Sequence, residues 1–504
     1  MQAYDVVVIG SGVGGGAVAF QLAGSKAKVL ILERGPDLPR EAQNWDPEEV
    51  FCNRRYHTKE TWYADGRAFQ PGMFYFVGGS TKFYGTAMFR FREKDFEELV
   101  HPEGISPSWP IRYQELERWY GKAEHLFGVR GEAGVDPCDP PRTTSYAHQA
   151  IPHEPVIDAI AGKLRSQGLK PFPMPSAVDF GPQGTCRRCT NCDAFPCKIN
   201  AKGDAEMKLI EPARRSSNIE LMTNALVEKL ETDDTGRNVV AAVVNVNGTR
   251  QRITAGTFVL SAGAINSAAL LLRSANARNP RGLANSSDVV GRHYMTHNTS
   301  ALMAVHPFKT NNTQFPKTLA VHDYYFGEGA SDTPLGSLQL LGKIKEPMLR
   351  GALGAFPKFV RSTLASHSVD WYAQSEDLPH PDSRVTVRPD GAINLHWHRT
   401  NMQTHHRWVA KCKTILRNTG YPIVLSAPFG TDVVSHQCGT IRFGDDPSTS
   451  ALDPYCKAWD HENLFVVDSG FFPSSAAVNP ALTVAAQGLR VGSHIRQMLT
   501  QSVL

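Results

Sequence analysis

No apolar run in the 504 residues approaches the length of a bilayer-crossing helix, so no membrane segment is expected. There is no internal repeat and no low-complexity tract, which argues against a solenoid or a disordered linker protein. Excess charge is also missing. The 53 lysines and arginines stand against 49 aspartates and glutamates, for a formal net charge of +4. The basic residues are dispersed, and no nucleic-acid partner is expected. Room for a secretory leader is lacking, because the first strand-like run begins at Tyr4; the expected location is the cytoplasm. Cysteine is sparse and odd in number, with nine residues, four of them between positions 186 and 197. That clustering suits ligands or redox chemistry better than a disulfide framework. What remains, 41% hydrophobic and 20% charged, is the composition of a soluble globular protein with two or more domains.

The N-terminus carries the strongest local signal. In YDVVVIGSGVGGGAVAFQLAGSKAKVLILERG, Tyr4 to Gly35, the β-branched run Val6 to Ile9 reads as a buried strand. Gly10, Gly12 and Gly15 fit G-x-G-x-x-G where the strand passes into a helix, read over Val18 to Leu22. A second apolar run, Val29 to Leu32, ends at Glu33. The glycines serve different ends. Gly10 permits the tight turn, Gly12 lets the backbone approach a pyrophosphate, and Gly15 allows close helix–strand packing. The helix N-terminus attracts the phosphates, and Glu33 would accept hydrogen bonds from ribose hydroxyls. The segment predicts a dinucleotide site without choosing between FAD and NAD.

Further along, helical patterns fall at Glu115–Phe127 and Val156–Gly168. From Asn218 to Phe258 apolar and polar residues alternate, with turn signals at Asp233–Gly236 and Asn247-Gly248, as in strands and hairpins. A short strand at Phe258 to Ser261 leads through Ala262-Gly263 into a helix from Asn266 to Arg273. The stretch from Asn298 to Thr431 is irregular and rich in aromatic residues and histidine; it reads as mostly strands covering a pocket. Trp371, Tyr372, His396, Trp397 and His398 are its candidates for stacking on and hydrogen bonding to a substrate. A strand at Leu464 to Val467 and a helix from Leu482 to Leu499 close the chain.

Five segments in order resemble the glucose-methanol-choline family of flavin oxidoreductases, nearest its sugar-oxidising bacterial branch. They are the N-terminal fingerprint, VGGSTKFYGTAMFRFREKDF (Val77 to Phe96), SAGAINSAALLLRS (Ser261 to Ser274, with Ala268 where proline is common), VGRHYMTH (Val290 to His297), and the C-terminal pair HQCGTIRFG (His436 to Gly444) and NLFVVDSGFFPSSAAVNPALT (Asn463 to Thr483). A weaker likeness lies at DSRVTV, Asp382 to Val387. The resemblance implies an α/β fold: a Rossmann-like FAD-binding domain with a substrate-binding domain built on an antiparallel sheet. The expected division gives residues 1–100, 184–297 and 432–504 to a discontinuous FAD-binding domain, and 101–183 and 298–431 to the substrate-binding cap.

It also implies oxidation of an alcohol, with His436 as the base and Asn479 as its partner near the flavin. The residue chemistry agrees: a neutral imidazole can take a hydroxyl proton, and an amide can bind the substrate oxygen without adding charge. The flavin carries the hydride. Gly78, Gly79, Ser80 and Tyr84 would run beside the flavin, with Asp468 and Pro480. Ala262 and Gly263 would approach the adenosine half, and Val227 the adenine. Some relatives hold FAD covalently through a histidine in the first signature. Here Phe83 occupies that place and no histidine lies between Val77 and Gly85, so non-covalent FAD is expected. The expected substrate is a secondary hydroxyl of a pyranose sugar or glycoside; an aryl or aliphatic alcohol is the alternative. The electron acceptor would be oxygen or another, unidentified acceptor.

CRRCTNCDAFPCKINAKGDAE, Cys186 to Glu206, has the spacing C-x2-C-x2-C-x4-C, close to a ferredoxin run but not the same. It also resembles the segment of membrane-coupled sugar dehydrogenases in which a three-iron cluster relays electrons to a haem subunit. Four readings stay open for Cys186, Cys189, Cys192 and Cys197: an iron–sulfur cluster feeding a redox partner subunit, a zinc site, a local disulfide, or free thiols.

Overall fold

The computed structural model describes residues 3–328, 333–433 and 435–501. Its first strand, Ala3–Ile9, is buried along its centre on both faces, as a parallel strand covered on both sides must be. It pairs in parallel with Val29–Leu32 on one side and with the end of Thr249–Leu260 on the other. Ile219–Met222 extends the sheet beyond Val29–Leu32, and Leu464–Val466 pairs with the end of Thr249–Leu260. That 12-residue strand serves two partners in succession. Its first half runs antiparallel to Val239–Val246, which pairs with Ala225–Thr232. The hairpin turns at Asn247-Gly248, with φ of +49° and +89°. Positive φ at both central residues is the geometry that Asn-Gly favours in a two-residue turn.

Helix Val13–Leu22 leaves the first strand and packs against the long C-terminal helix Ala481–Gln501. It begins five residues before the expected start, because the glycines after the turn are themselves helical. A β-carbon on Gly14 would fall 1.7 Å from the Val467 carbonyl oxygen, so the helix can approach the neighbouring strand only through glycine here. Among the described residues no helix is long and apolar enough to cross a membrane.

The second sheet has six antiparallel strands in the order Ile423–Pro428, Asn298–Val305, Ser368–Ser375, Ser337–Leu340, Leu319–Val321 and Phe172–Pro173. Val369, Trp371 and Ala373 alternate into a core shared with helices Pro155–Arg165 and Met402–Asn418. Tyr372 and Gln374, on the opposite face, point toward the first domain's side of the molecule, where they meet His436. The stretch from 298 to 431 is therefore not mostly strand. It contains helices Lys358–His367 and Met402–Asn418. The second buries Thr404, His405, Trp408, Cys412, Ile415 and Leu416, a helical spacing that was present in the sequence. Two features cross the expected division of segments. Helix Tyr113–Phe127 packs on Ala481–Gln501, and a small sheet joins Trp62–Ala64 and Arg67–Phe69 to Ile393–His396 and Arg384–Val387.

Candidate active site

One cavity of about 650 Å3 runs from the N-terminal glycine turn to His436 and Asn479. At its first end Gly10 has φ +102°, and a β-carbon there would sit 2.2 Å from the Ser261 carbonyl oxygen. Gly12 lines the cavity with nothing within 4 Å of where its β-carbon would be, so a ligand can reach its backbone. Glu33 also lines it. Its carboxylate accepts from the Ser11 hydroxyl at 2.6 Å, the Ser11 N–H at 3.1 Å and the Gly35 N–H at 2.9 Å. Burial raises its pKa, and these bonds oppose the rise. Gly79, Ser80, Tyr84, Val227, Ala262, Gly263, Asp468 and Pro480 line the same space. Gly15 and Gly78 stand behind its wall: a β-carbon on Gly15 would meet the Gly10 carbonyl oxygen at 2.1 Å, and the Gly78 N–H donates to the Ser11 hydroxyl at 3.0 Å.

Asp468 ties this wall together. It accepts from the Gly263 N–H at 3.0 Å, the Ser267 hydroxyl at 2.5 Å and the Gly470 N–H at 2.8 Å. Burial raises the pKa of its carboxyl, against the hydrogen bonds that favour the charged form. The helix Ala481–Gln501 begins at the cavity, directly after Asn479 and Pro480, and so turns its unpaired N–H groups and positive dipole end toward it.

At the other end a closed ring of hydrogen bonds surrounds His436. The buried imidazole of His297 reaches the Ser475 carbonyl oxygen with Nε2 at 3.0 Å and the His436 ring, Nδ1 to Nδ1, at 2.9 Å. Asn479 Nδ2 lies 3.4 Å from His436 Nε2. Gln339 donates to Asn479 Oδ1 at 2.9 Å and to Gln374 Oε1 at 2.6 Å, and Gln374 Nε2 returns to His297 Nδ1 at 3.2 Å. Both imidazoles are held neutral by burial: His297 is pushed down to about 4, and His436 is lowered well below the usual range, the nearby Lys317 ammonium adding to the effect of burial.

Neutrality fixes the tautomers. A carbonyl oxygen only accepts, so His297 carries its proton on Nε2 and offers a bare Nδ1. Across the 2.9 Å contact His436 then donates from Nδ1, while Gln374 Nε2, 3.1 Å from that same atom, donates to His297; the His436 Nε2 lone pair is shared between the Asn479 Nδ2 donor at 3.4 Å and a ligand in the cavity that His436 lines. His436 itself has φ +58°, an uncommon conformation for a residue with a β-carbon and one that costs free energy. Neighbouring bonds hold it: Cys438 and Met295 exchange N–H···O bonds at 2.9 and 3.0 Å, and the Thr440 hydroxyl donates to the Ala264 carbonyl at 2.7 Å.

Of the aromatic and histidine candidates in the cap, Tyr372 alone lines the cavity, 6.4 Å ring to ring from His436. Trp371 is in the second core, His396 pairs with Asp65, Trp397 donates to Asp377, and His398 stacks near His380. His297, Gln339 and Gln374 are the residues that sequence reasoning passed over. His297 was in view as the end of VGRHYMTH. The two glutamines were signalled only by their place on strands that otherwise alternate with core residues.

Models of the GMC oxidoreductase family match residues 4–299 and 379–488. The chain belongs to the GMC oxidoreductase family. The 6'''-hydroxyparomomycin C oxidase of Streptomyces lividus is 30% identical over 99% of this chain and 92% of its own length. The fructose dehydrogenase large subunit of Gluconobacter japonicus is 28% identical over 99% and 98%. The crystal structure of pyridoxine 4-oxidase from Mesorbium loti superposes with a TM-score of 0.68 at 17% identity, over 98% of this chain and 99% of that one, and shows the shared fold. GMC enzymes are oxidoreductases of CH–OH groups and bind FAD. The residues present fit that cofactor: the open backbone at Gly12, the buried Glu33 carboxylate and a cavity of dinucleotide size form a matching cradle.

They do not fit an iron–sulfur cluster. Among the described residues no three Cys, His, Asp or Glu side chains converge to hold a metal, and Cys186, Cys189, Cys192 and Cys197 are all free thiols. The zinc and disulfide readings fall with the same observations. The segment instead builds cavity wall. Lys202, buried, donates to the carbonyls of Tyr84 at 2.8 Å, Cys192 at 2.5 Å and Phe195 at 2.7 Å, pinning the cysteine loop to the glycine-rich strip. Burial raises the Cys192 thiol to about 12, so it stays protonated.

Proposed function

We propose that this protein oxidises an alcohol to a carbonyl with non-covalently bound FAD, and that the substrate is a sugar-like polyol reacting at a secondary hydroxyl. The observation that carries the reading is that His436 and Asn479 line one cavity with the Asn479 amide nitrogen 3.4 Å from His436 Nε2. When bound, the flavin supplies the acceptor for the hydride that leaves the carbinol carbon. His436 Nε2 takes the hydroxyl proton of the same carbon. Asn479 Nδ2 donates to the substrate oxygen and orients it without adding charge. Gly10, Gly12 and Gly79 would carry the pyrophosphate, Glu33 the ribose, and Val227 with Ala262 and Gly263 the adenosine.

Phe83 supports non-covalent attachment. It lines the cavity stacked on Phe74, with ring centroids 3.8 Å apart, and has no nucleophilic atom. The sugar reading draws on the relatives named as paromomycin-type and fructose oxidoreductases, and on the aromatic face of Tyr372 beside Phe429. The division into an FAD-binding unit of 1–100, 184–297 and 432–504 and a cap is part of the same proposal.

The test is an absorption spectrum before and after acid precipitation. Two flavin bands whose colour passes into the supernatant support the proposal. Colour retained by the pellet contradicts non-covalent attachment, and failure to take up flavin on reconstitution contradicts the reading as a whole.

A further inference from the structure

The cavity wall contains an ion pair that proton transfer to His436 does not use. Lys317 Nζ lies 2.6 Å from Asp193 Oδ1, with side-chain exposures of 7% and 19%. Asp193 Oδ2 accepts the Gly342 N–H at 2.5 Å. The backbone opposite is shaped around the pair: a β-carbon on Gly85 would fall 1.5 Å from Asp193 Oδ1 and 2.1 Å from Lys317 Nζ. Lys317, Asp193 and His436 line the same cavity with Tyr372. The Lys317 charge is close enough to help keep His436 neutral, and the Asp193 charge close enough to act on Tyr372.

Burying an ion pair in a cavity wall is costly unless its remaining donors and acceptors are filled. Here they are not all filled from within the chain. Among the described residues Asp193 is the one hydrogen-bond acceptor of the Lys317 ammonium, which has three N–H donors. The carboxylate likewise keeps lone pairs beyond the two that are used. A cationic donor and an anionic acceptor side by side match groups that both donate and accept, which is the property of a hydroxyl.

We propose that Lys317 and Asp193 form the subsite that reads a hydroxyl adjacent to the reacting one. The substrate is then a vicinal diol, such as a pyranose, in preference to a mono-alcohol. The inference rests on the cavity being an alcohol-oxidising site.

The test follows anaerobic flavin reduction in the FAD-loaded protein. The probes are cyclohexanol and trans-1,2-cyclohexanediol, beside a panel of hexoses. The expected preference for the diol over cyclohexanol is about 10- to 100-fold in the second-order rate constant, as for one added charge-assisted hydrogen bond. In Lys317→Met and Asp193→Asn the diol-to-cyclohexanol ratio should fall toward one. Taking the ratio within each variant cancels any shared effect of the lost charge on His436.

A wild-type ratio near one, or a ratio unchanged in both variants, overturns the inference while leaving alcohol oxidation intact; the latter is the result expected if the pair only braces the wall. If neither variant folds, the wild-type ratio of diol to mono-alcohol decides. Reduction by none of the probes or hexoses contradicts the alcohol reading beneath it.

Discussion

Replacing His297 with phenylalanine should disable His436 without touching the substrate or the cofactor. The imidazole of His297 is buried behind His436, not in the cavity, so it is a positioning residue. Its loss leaves the His436 Nδ1–H without its 2.9 Å acceptor, on the buried side of the ring. An unsatisfied buried donor costs about 1–3 kcal/mol. Part of that cost is escaped if the His436 proton moves to Nε2, where Asn479 Oδ1 could accept it after an amide flip; but that tautomer has no lone pair facing the cavity. The rate of flavin reduction should therefore fall by about 10- to 100-fold, since each 1.4 kcal/mol is a factor of ten. Loss of the partner also moves the pH at which His436 protonates, so the pH profile of reduction should shift. His297→Gln keeps an acceptor oxygen and should recover part of the rate, which a mere packing defect would not do. The assay is anaerobic stopped-flow reduction across pH for wild type, His297→Phe and His297→Gln. Wild-type rates and an unshifted profile in His297→Phe would refute the tautomer argument.

Other consequences can be measured directly. His436→Ala should retain FAD and lose most turnover; near-normal turnover on the true substrate would remove the base assignment. Asn479→Ala should slow flavin reduction more than it weakens FAD binding, and unchanged reduction kinetics would contradict its role. Gly14→Ala drives a β-carbon toward the Val467 carbonyl, 1.7 Å away, and should destabilise the protein by at least about 1–3 kcal/mol in a thermal or denaturant melt; an unchanged melt would show that the helix can retreat. Acid should unfold the protein through its buried neutral histidines. His297 and His405 are each held down to about 4 by burial, while unfolded histidine protonates near 6.5. Between those values the unfolded chain binds more protons, so stability is lost as pH falls, by up to about 3 kcal/mol for each group. Denaturant melts at about pH 7 and about pH 5 that superimpose would contradict this.

Much of the first domain was legible because its physics is local. A glycine turn between a buried strand and a helix, and an Asn-Gly hairpin with two positive φ angles, are properties of a few adjacent residues. The α/β class and the antiparallel second sheet also followed from sequence pattern and resemblance. The cap read poorly because its signals compete. Met402–Asn418 has the apolar spacing of a helix, but His405, His406 and Arg407 lie among its core positions and mask the stripe. The ring around His436 was illegible for another reason. His297, Gln339 and Gln374 come from distant parts of the chain, and the two glutamines meet through the pairing of Ser337–Leu340 with Ser368–Ser375. The cysteine run shows the opposite failure. Its spacing suggested a ligand set, yet Lys202 draws the loop backbone inward by its carbonyls, and among the described residues no group of three side chains forms that could hold a metal.

The central claim is that His436 accepts the proton of a hydroxyl whose carbon reduces the flavin. The most direct measurement is anaerobic bleaching of the visible flavin band in wild type and His436→Ala by a panel of sugars and alcohols. The account predicts full bleaching of the wild type by at least one polyol and a loss of orders of magnitude in rate in the variant with FAD still bound. Bleaching of both proteins at equal rates, or of neither, would contradict it.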